Sequence, residues 1–284
     1  MSEGENRYTR IKALQEFGYD VDFDKLRDKK VVIAGVGGVG SVTAELLARC
    51  GLGTLTILDM DIIEEVNLNR LGFRSEDVGK PKVEAIQSYL EKINPDVKVE
   101  PYHGDICSES FEERFESLLE TADLLLIGLD NVPTRQYVNI KCVKTRTKYI
   151  DAGASRSGLG GYIQYISPGE TPCYQCMGTI VFSKKIEQGK SCTASLPTTI
   201  SIIASLQSQY CLNLLLNFGS FPEYLAYNAV TNTFETVPVQ KDPNCYICSD
   251  NALTSEMDDQ TLFKELGEEN IDDLIKNLSK FEEE

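Results

Sequence analysis

The sequence predicts an α/β fold: a doubly wound, Rossmann-like, mainly parallel sheet extended by antiparallel strands. Three observations predict it. The strand-like run Lys30-Val31-Val32-Ile33-Ala34 leads directly into Gly35-Val36-Gly37-Gly38-Val39-Gly40 and then a helix-like run over residues 41–50. Strand and helix signals go on alternating as far as Ile150. Within that alternation Leu124-Leu125-Leu126-Ile127 is apolar at every position, as a central parallel strand covered on both faces must be.

Taken in order, Thr54-Leu55-Thr56-Ile57-Leu58 reads as a strand, residues 81–93 as a helix, Val97-Lys98-Val99 as a strand and residues 109–121 as a helix. Residues 132–145 then read as helix and Tyr149-Ile150 as strand. This order implies parallel strands with ligands at their carboxyl ends. After Asp151 the pattern changes. Residues 160–166, 224–230 and 233–239, with Thr231-Asn232 as a turn, read as antiparallel strands added to the sheet. The apolar stretch 199–218 is interrupted by Gln207, Gln209, Asn213 and Asn217, so it reads as a buried helix rather than a membrane span.

With 28 Lys+Arg against 44 Asp+Glu the net charge is −16, which argues against general affinity for nucleic acid or anionic membranes. No charged-then-apolar signal opens the chain, and nine cysteines without one suggest a reducing, cytoplasmic setting in which thiols serve metal or catalysis.

The glycine turn between strand and helix lets backbone approach a phosphate, and the helix start presents N–H groups to it. The bland alternative is a turn that only packs helix on strand. A dehydrogenase would use Asp59 for a ribose hydroxyl. The polar segment from Asp59 to Arg70, Lys82 at the start of the next helix, and Asp130-Asn131 after the apolar strand, with Arg135 one turn later, suit a triphosphate better. Arg70 and Lys82 can neutralise its oxygens, and Asp130 can hold Mg²⁺.

Cys173-x-x-Cys176 and Cys245-x-x-Cys248 suit a structural, four-thiolate Zn²⁺ site, the alternative being redox pairs or free thiols. Cys192 stands apart, close to Lys190 and shortly before Pro197. A helix beginning at that proline would favour its thiolate. Cys50, Cys142 and Cys211 lie in apolar helical surroundings and read as inert, and His103, the only histidine, reads as structural.

The segment from Gly35 to Arg70, with Gly79-Lys80-Pro81-Lys82-Val83 and Asp130-Asn131, resembles the adenylation domain of ubiquitin-like-modifier activating enzymes and their bacterial sulfur-carrier adenylyltransferase relatives. The likeness runs from Arg7 to Cys248. Cys192-Thr193-Ala194-Ser195-Leu196-Pro197-Thr198-Thr199 and the helix running on to Gly219 look most like the branch that activates the ubiquitin-fold modifier, whose catalytic cysteine precedes this helix. The resemblance implies that Gly38 and Asp59 make glycine-turn and ribose contacts, Arg70 and Lys82 phosphate contacts, and Asp130 the magnesium-linked one. It implies ATP contacts for Asn131 and, more loosely, Asp105, where the family often has asparagine. Arg10 resembles an arginine that reaches the partner subunit's ATP, which implies a homodimer. Cys173, Cys176, Cys245 and Cys248 match zinc ligands, with a shorter second spacing than in that branch.

The organisation so implied is an N-terminal helical segment over 1–28, an adenylation domain with zinc site and cysteine loop over 29–250, and an acidic amphipathic tail over 251–284. Those tail helices are expected to bind a conjugating enzyme or the modifier, or else to fold back on the domain. The expected activity is adenylation of a modifier's C-terminus with ATP, thioester formation on Cys192, and transfer to a conjugating enzyme. The alternative is a sulfur-carrier adenylyltransferase that stops at the acyl adenylate.

Overall fold

A computed structural model describes residues 5–181 and 196–249. The candidate nucleophile Cys192, its neighbour Lys190 and the acidic tail 251–284 lie outside the described residues.

Eight strands form one sheet in the order β3-β2-β1-β4-β5-β6-β7-β8. They are β1 (Lys30–Ala34), β2 (Thr54–Asp59), β3 (Lys98–His103), β4 (Leu124–Ile127), β5 (Tyr149–Ala154), β6 (Gly160–Ile166), β7 (Tyr224–Asn228) and β8 (Thr233–Thr236). The first five pair in parallel and the last three are antiparallel. The helices are α1 (Thr9–Lys12), α2 (Gly38–Cys50), α3 (Lys82–Ile93), α4 (Glu112–Thr121), α5 (Val132–Thr145), α6 (Tyr174–Val181) and α7 (Pro197–Leu216).

Strand alternation sends side chains to two cores. Val31, Ile33, Leu55, Ile57, Leu124 and Leu126 pack with α2, α3 and α7, whereas Val32, Ala34, Leu58, Leu125 and Ile127 pack with α4 and α5. The strand order reverses between β1 and β4, the switch point where such sheets bind ligands. Val21, Phe23 and Leu26 join the first core, so the N-terminal segment packs against the sheet it precedes.

Several elements differ from the sequence reading. The glycine motif is partly helical, because α2 already starts at Gly38. β3 continues through Pro101, which is tolerated because β3 is an edge strand. The helix α6 follows the first cysteine of its pair, where the sequence pattern carries no helix signal. Half of the long apolar helix α7 is buried, with Thr43 donating to Gln207 Oε1 at 2.8 Å and Gln207 Nε2 donating to the carbonyls of Ile127 and Ile150. Its interior glutamine thus satisfies backbone groups of two central strands.

Candidate functional site

The glycine turn is required by its own backbone. Gly35 has φ +86°, and a methyl group on it would lie 2.9 Å from the Gly128 carbonyl, in the turn after β4. One on Gly40 would lie 1.9 Å from Gly35 O. The turns after β1 and β4 therefore touch at the switch point. Gly37 is the N-cap of α2 and brings no side chain to cap it, so the helix start is left to an outside acceptor.

Asp59 ends β2 beside this turn. Its Oδ2 accepts from Val36 N at 2.8 Å and its Oδ1 from Asp61 N at 2.9 Å. Burial raises its carboxyl above the ordinary range, while the nearby Lys82 and both N–H groups oppose that shift. Lys82 is buried at the first turn of α3, 2.6 Å from Asp61 Oδ2 and 4.0 Å from Asp59 Oδ1. Its charge is thus already engaged.

Arg70 reaches the turn from the loop after β2. A methyl group on Gly37 would lie 3.3 Å from Arg70 Nη1, and one on Gly38 would lie 3.7 Å from Arg70 Cδ and 3.0 Å from Ile200 Cδ1 of α7. Ser41 of α2 fixes the adjoining backbone by donating to Leu71 O at 2.9 Å. Among the described residues no carboxylate pairs with Arg70, so its guanidinium remains available to an anion.

Asp130 is exposed just past β4. Asn131 is the N-cap of α5, accepting from Thr134 N at 2.9 Å, which leaves its amide NH₂ for a ligand. Arg135, grouped in the sequence with the triphosphate set, turns inward instead. It is buried and bonded to Asp151, Tyr162, Ala152 O and Leu129 O, so its charge is spent inside the fold. Asp105 is exposed beyond β3, where its Oδ1 accepts from Cys107 N at 2.9 Å.

Arg10 is not part of its own chain's site. Tyr8, two residues earlier, donates to Asp96 Oδ2 and accepts from Asn94 Nδ2, between α3 and β3. That is the amino end of the strands, opposite the glycine turn. His103 Nε2 lies 2.9 Å from Met60 O, a structural contact. Cys142 and Cys211 are fully buried, and burial pushes both thiols up.

Cys173, Cys176, Cys245 and Cys248 converge, all four sulfurs lying within 4.8 Å of one another. The Cys173–Cys176, Cys173–Cys245 and Cys176–Cys248 separations are 3.8, 3.7 and 3.5 Å. Tetrahedral Zn²⁺ with Zn–S of about 2.3 Å calls for about 3.8 Å between sulfurs, so the donor set fits that ion. Asn139 adds an independent sign. Its Oδ1 accepts from Tyr149 Oη at 2.7 Å and Tyr174 N at 3.1 Å, which turns Nδ2 toward Cys173 Sγ at 3.8 Å. A buried donor aimed at sulfur suits a metal-bound thiolate better than a thiol.

Gly128, Asn139, Asp151 and Tyr162 stand outside the residues that the sequence pattern singles out, and Gln207 shows there only as a polar break in an apolar stretch. Asp151, a carboxylate directly after the Tyr149-Ile150 strand signal, has a visible cue of the kind Asp59 has.

Comparison with known proteins agrees with this arrangement. The ThiF family profile matches residues 8–247. Ubiquitin-like modifier-activating enzyme 5 of Bombyx mori is 38% identical, with 84% of this chain and 64% of that protein aligned. The Drosophila mojavensis protein of the same name is 37% identical over 96% of this chain and 71% of its own length. The chain therefore spans roughly two thirds of these relatives. The crystal structure of Escherichia coli MccB with ATP superposes with a TM-score of 0.73 at 26% identity, covering 87% of this chain and 75% of that one. The glycine turn at the switch point, the sheet around it and these likenesses agree, and the chain belongs to the ThiF family, alongside the ubiquitin-like modifier-activating enzymes.

Proposed function

We propose that the chain activates a ubiquitin-like modifier with ATP. The observation that carries this is the Arg70 guanidinium, without a carboxylate partner among the described residues, lying against Gly37 and Gly38 at the start of a helix with no side-chain cap. That is an anion site at the switch point, with Asp59 beside it for a ribose. The modifier's C-terminal carboxylate attacks the α-phosphate, the bond to the β-phosphate oxygen breaks, and an acyl adenylate and pyrophosphate result. Arg70 and the first N–H groups of α2 offset the charge developing there, and Lys82 shifts from Asp61 toward the phosphates. Mg²⁺ held at Asp130 would neutralise the pyrophosphate oxygens. Asn131 and Asp105 contact the nucleotide from the ends of β4 and β3.

Cys192 thiolate then attacks the acyl carbonyl and AMP leaves, so the activation is kept as a thioester that a conjugating enzyme's cysteine takes over. Cys173, Cys176, Cys245 and Cys248 would hold Zn²⁺, which would tie the segment after β6 to the segment after β8. The position of Arg10, remote from its own glycine turn, suits a homodimer in which each chain completes the other's ATP site. The acidic tail recruits the conjugating enzyme or the modifier, and the protein works in the cytoplasm.

Cys192→Ala tests the scheme. It should retain modifier-dependent pyrophosphate exchange and lose the thiol-reducible modifier adduct. An adduct that persists overturns the nucleophile, and wild-type protein that exchanges pyrophosphate without ever forming an adduct is instead a sulfur-carrier adenylyltransferase.

A further inference from the structure

Arg135 is the most heavily bonded buried cation among the described residues, and the phosphate site does not use it. Its Nη1 donates to Asp151 Oδ1 and, at 2.9 Å, to Tyr162 Oη; its Nη2 donates to Leu129 O and, at 3.1 Å, to Ala152 O. Tyr162 in turn donates to Asp151 Oδ2 at 2.7 Å. Asp151 is wholly buried, so this pair is closed off from water and its members keep fixed positions. The guanidinium also has a seat cut for it, since a methyl group on Gly153 would lie 2.9 Å from Arg135 Nη2. Burial pushes the Tyr162 hydroxyl up to about 12 against the opposing charge and hydrogen bond of Arg135, which keeps it a donor to Asp151 throughout the working pH range.

What this network grips is the turn after β4. Leu129, whose carbonyl it holds, directly precedes Asp130, and Arg135 itself lies one turn into the helix that Asn131 caps. Asp130 itself is exposed and, among the described residues, its side chain makes no hydrogen bond or salt bridge, although its charge acts on the Arg135 guanidinium. We propose that Arg135, with Asp151 and Tyr162, is a positioning residue that fixes the Asp130 turn against the end of β5 and so sets the carboxylate for a divalent cation on ATP. This deepens the proposed function and rests on its assignment of Asp130 to Mg²⁺.

The test is the Mg²⁺ dependence of ATP binding, followed by equilibrium dialysis with labelled ATP and needing no modifier. Arg135→Lys keeps a charge beside Asp151 but cannot also reach Leu129 O. It should raise the Mg²⁺ concentration for half-saturation by about tenfold, as loss of a support to a metal ligand does, with Mg²⁺-free ATP binding unchanged. Tyr162→Phe, which removes one bond from Asp151, should shift it in the same direction by a smaller factor. It decides the matter alone if the lysine variant does not fold. Wild-type Mg²⁺ dependence in both, or in the phenylalanine variant when it alone folds, overturns the proposal. Asp130→Asn separates the two ideas: if it leaves the Mg²⁺ dependence intact, the assignment of Asp130 has failed. If it abolishes the dependence while the Arg135 and Tyr162 variants do not alter it, only the positioning role has failed.

Discussion

The Lys82 ammonium lies 2.6 Å from the Asp61 carboxylate and 4.0 Å from that of Asp59, with only Asp61 open to solvent. Asp59 is therefore a buried acid held in its charged form by a lysine that also has another partner. Burial raises its pKa, and Lys82 is the largest influence against that rise. Because the folded value is above the unfolded one, this group's contribution to stability is full below the ordinary carboxylate range. It is lost as pH rises through the raised value.

Lys82→Met removes the opposing charge and moves the folded pKa of Asp59 higher still. The stability gap between this variant and the wild type should open above the wild-type Asp59 pKa and widen until the variant's own is passed. Urea midpoints from about pH 5 to about pH 8 measure it. In an Asp59→Asn background the same lysine substitution should show no such widening, and parallel curves in the Asp59 background would refute the coupling.

Arg70 makes the opposite prediction, because it is half-exposed and no carboxylate pairs with it among the described residues. Arg70→Ala should leave the thermal midpoint nearly unchanged, as surface changes of about 0.5 kcal/mol or less do. Pyrophosphate exchange should fall by roughly 10²- to 10³-fold, the usual cost of removing one donor to developing charge. A variant with full exchange would show that the phosphates are held elsewhere.

The contrast between these two cations marks what a sequence can disclose. The glycine turn, Asp59, Lys82 and Asp130 are legible because each sits at or just past a strand end or at a helix start, where local order fixes position, and Arg70 only because it closes the polar segment that follows Asp59. The partners of each charge are not legible. Arg135 reads as one of the triphosphate-directed charges because Asp151 and Tyr162, 16 and 27 residues further on, reach it only once β5 and β6 are in register. The cysteine pairs were legible as pairs because two-residue spacing constrains sulfur geometry. The approach of Ile200 to Gly38 depends on how α7 crosses α2, and no local pattern encodes that.

Glycine requirements in the site differ by cause, and the difference is measurable. Gly79 has φ +89° with open space around it, so Gly79→Ala should cost only the left-handed backbone penalty of about 1–2 kcal/mol. Gly40→Ala would place its methyl 1.9 Å from a carbonyl oxygen of the same turn, and the start of α2 must move away from Asp59 and Arg70. Calorimetry and nucleotide titration together should show a modest Tm loss with binding retained for Gly79→Ala. Gly40→Ala should show a larger Tm loss with binding abolished. Equal losses would mean that the turn is not shaped by this contact.

The four-cysteine cluster yields a prediction that needs none of its cysteines mutated. Asn139 is fully buried, and both donors to its Oδ1, Tyr149 and the Tyr174 backbone, fix which way its amide faces. Its NH₂ therefore has Cys173 Sγ as its acceptor, and that bond stabilises sulfur as the thiolate a metal needs. Asn139→Leu keeps the volume while removing the donor and orphaning the Tyr149 hydroxyl. Affinity for Zn²⁺ in competition with a chromogenic chelator should fall by about 10- to 100-fold, the range for losing such a supporting bond, while one ion per chain still binds. If the variant instead holds Zn²⁺ as tightly as the wild type, the amide is present only to satisfy Tyr149 and Tyr174 and the thiolate draws nothing from it.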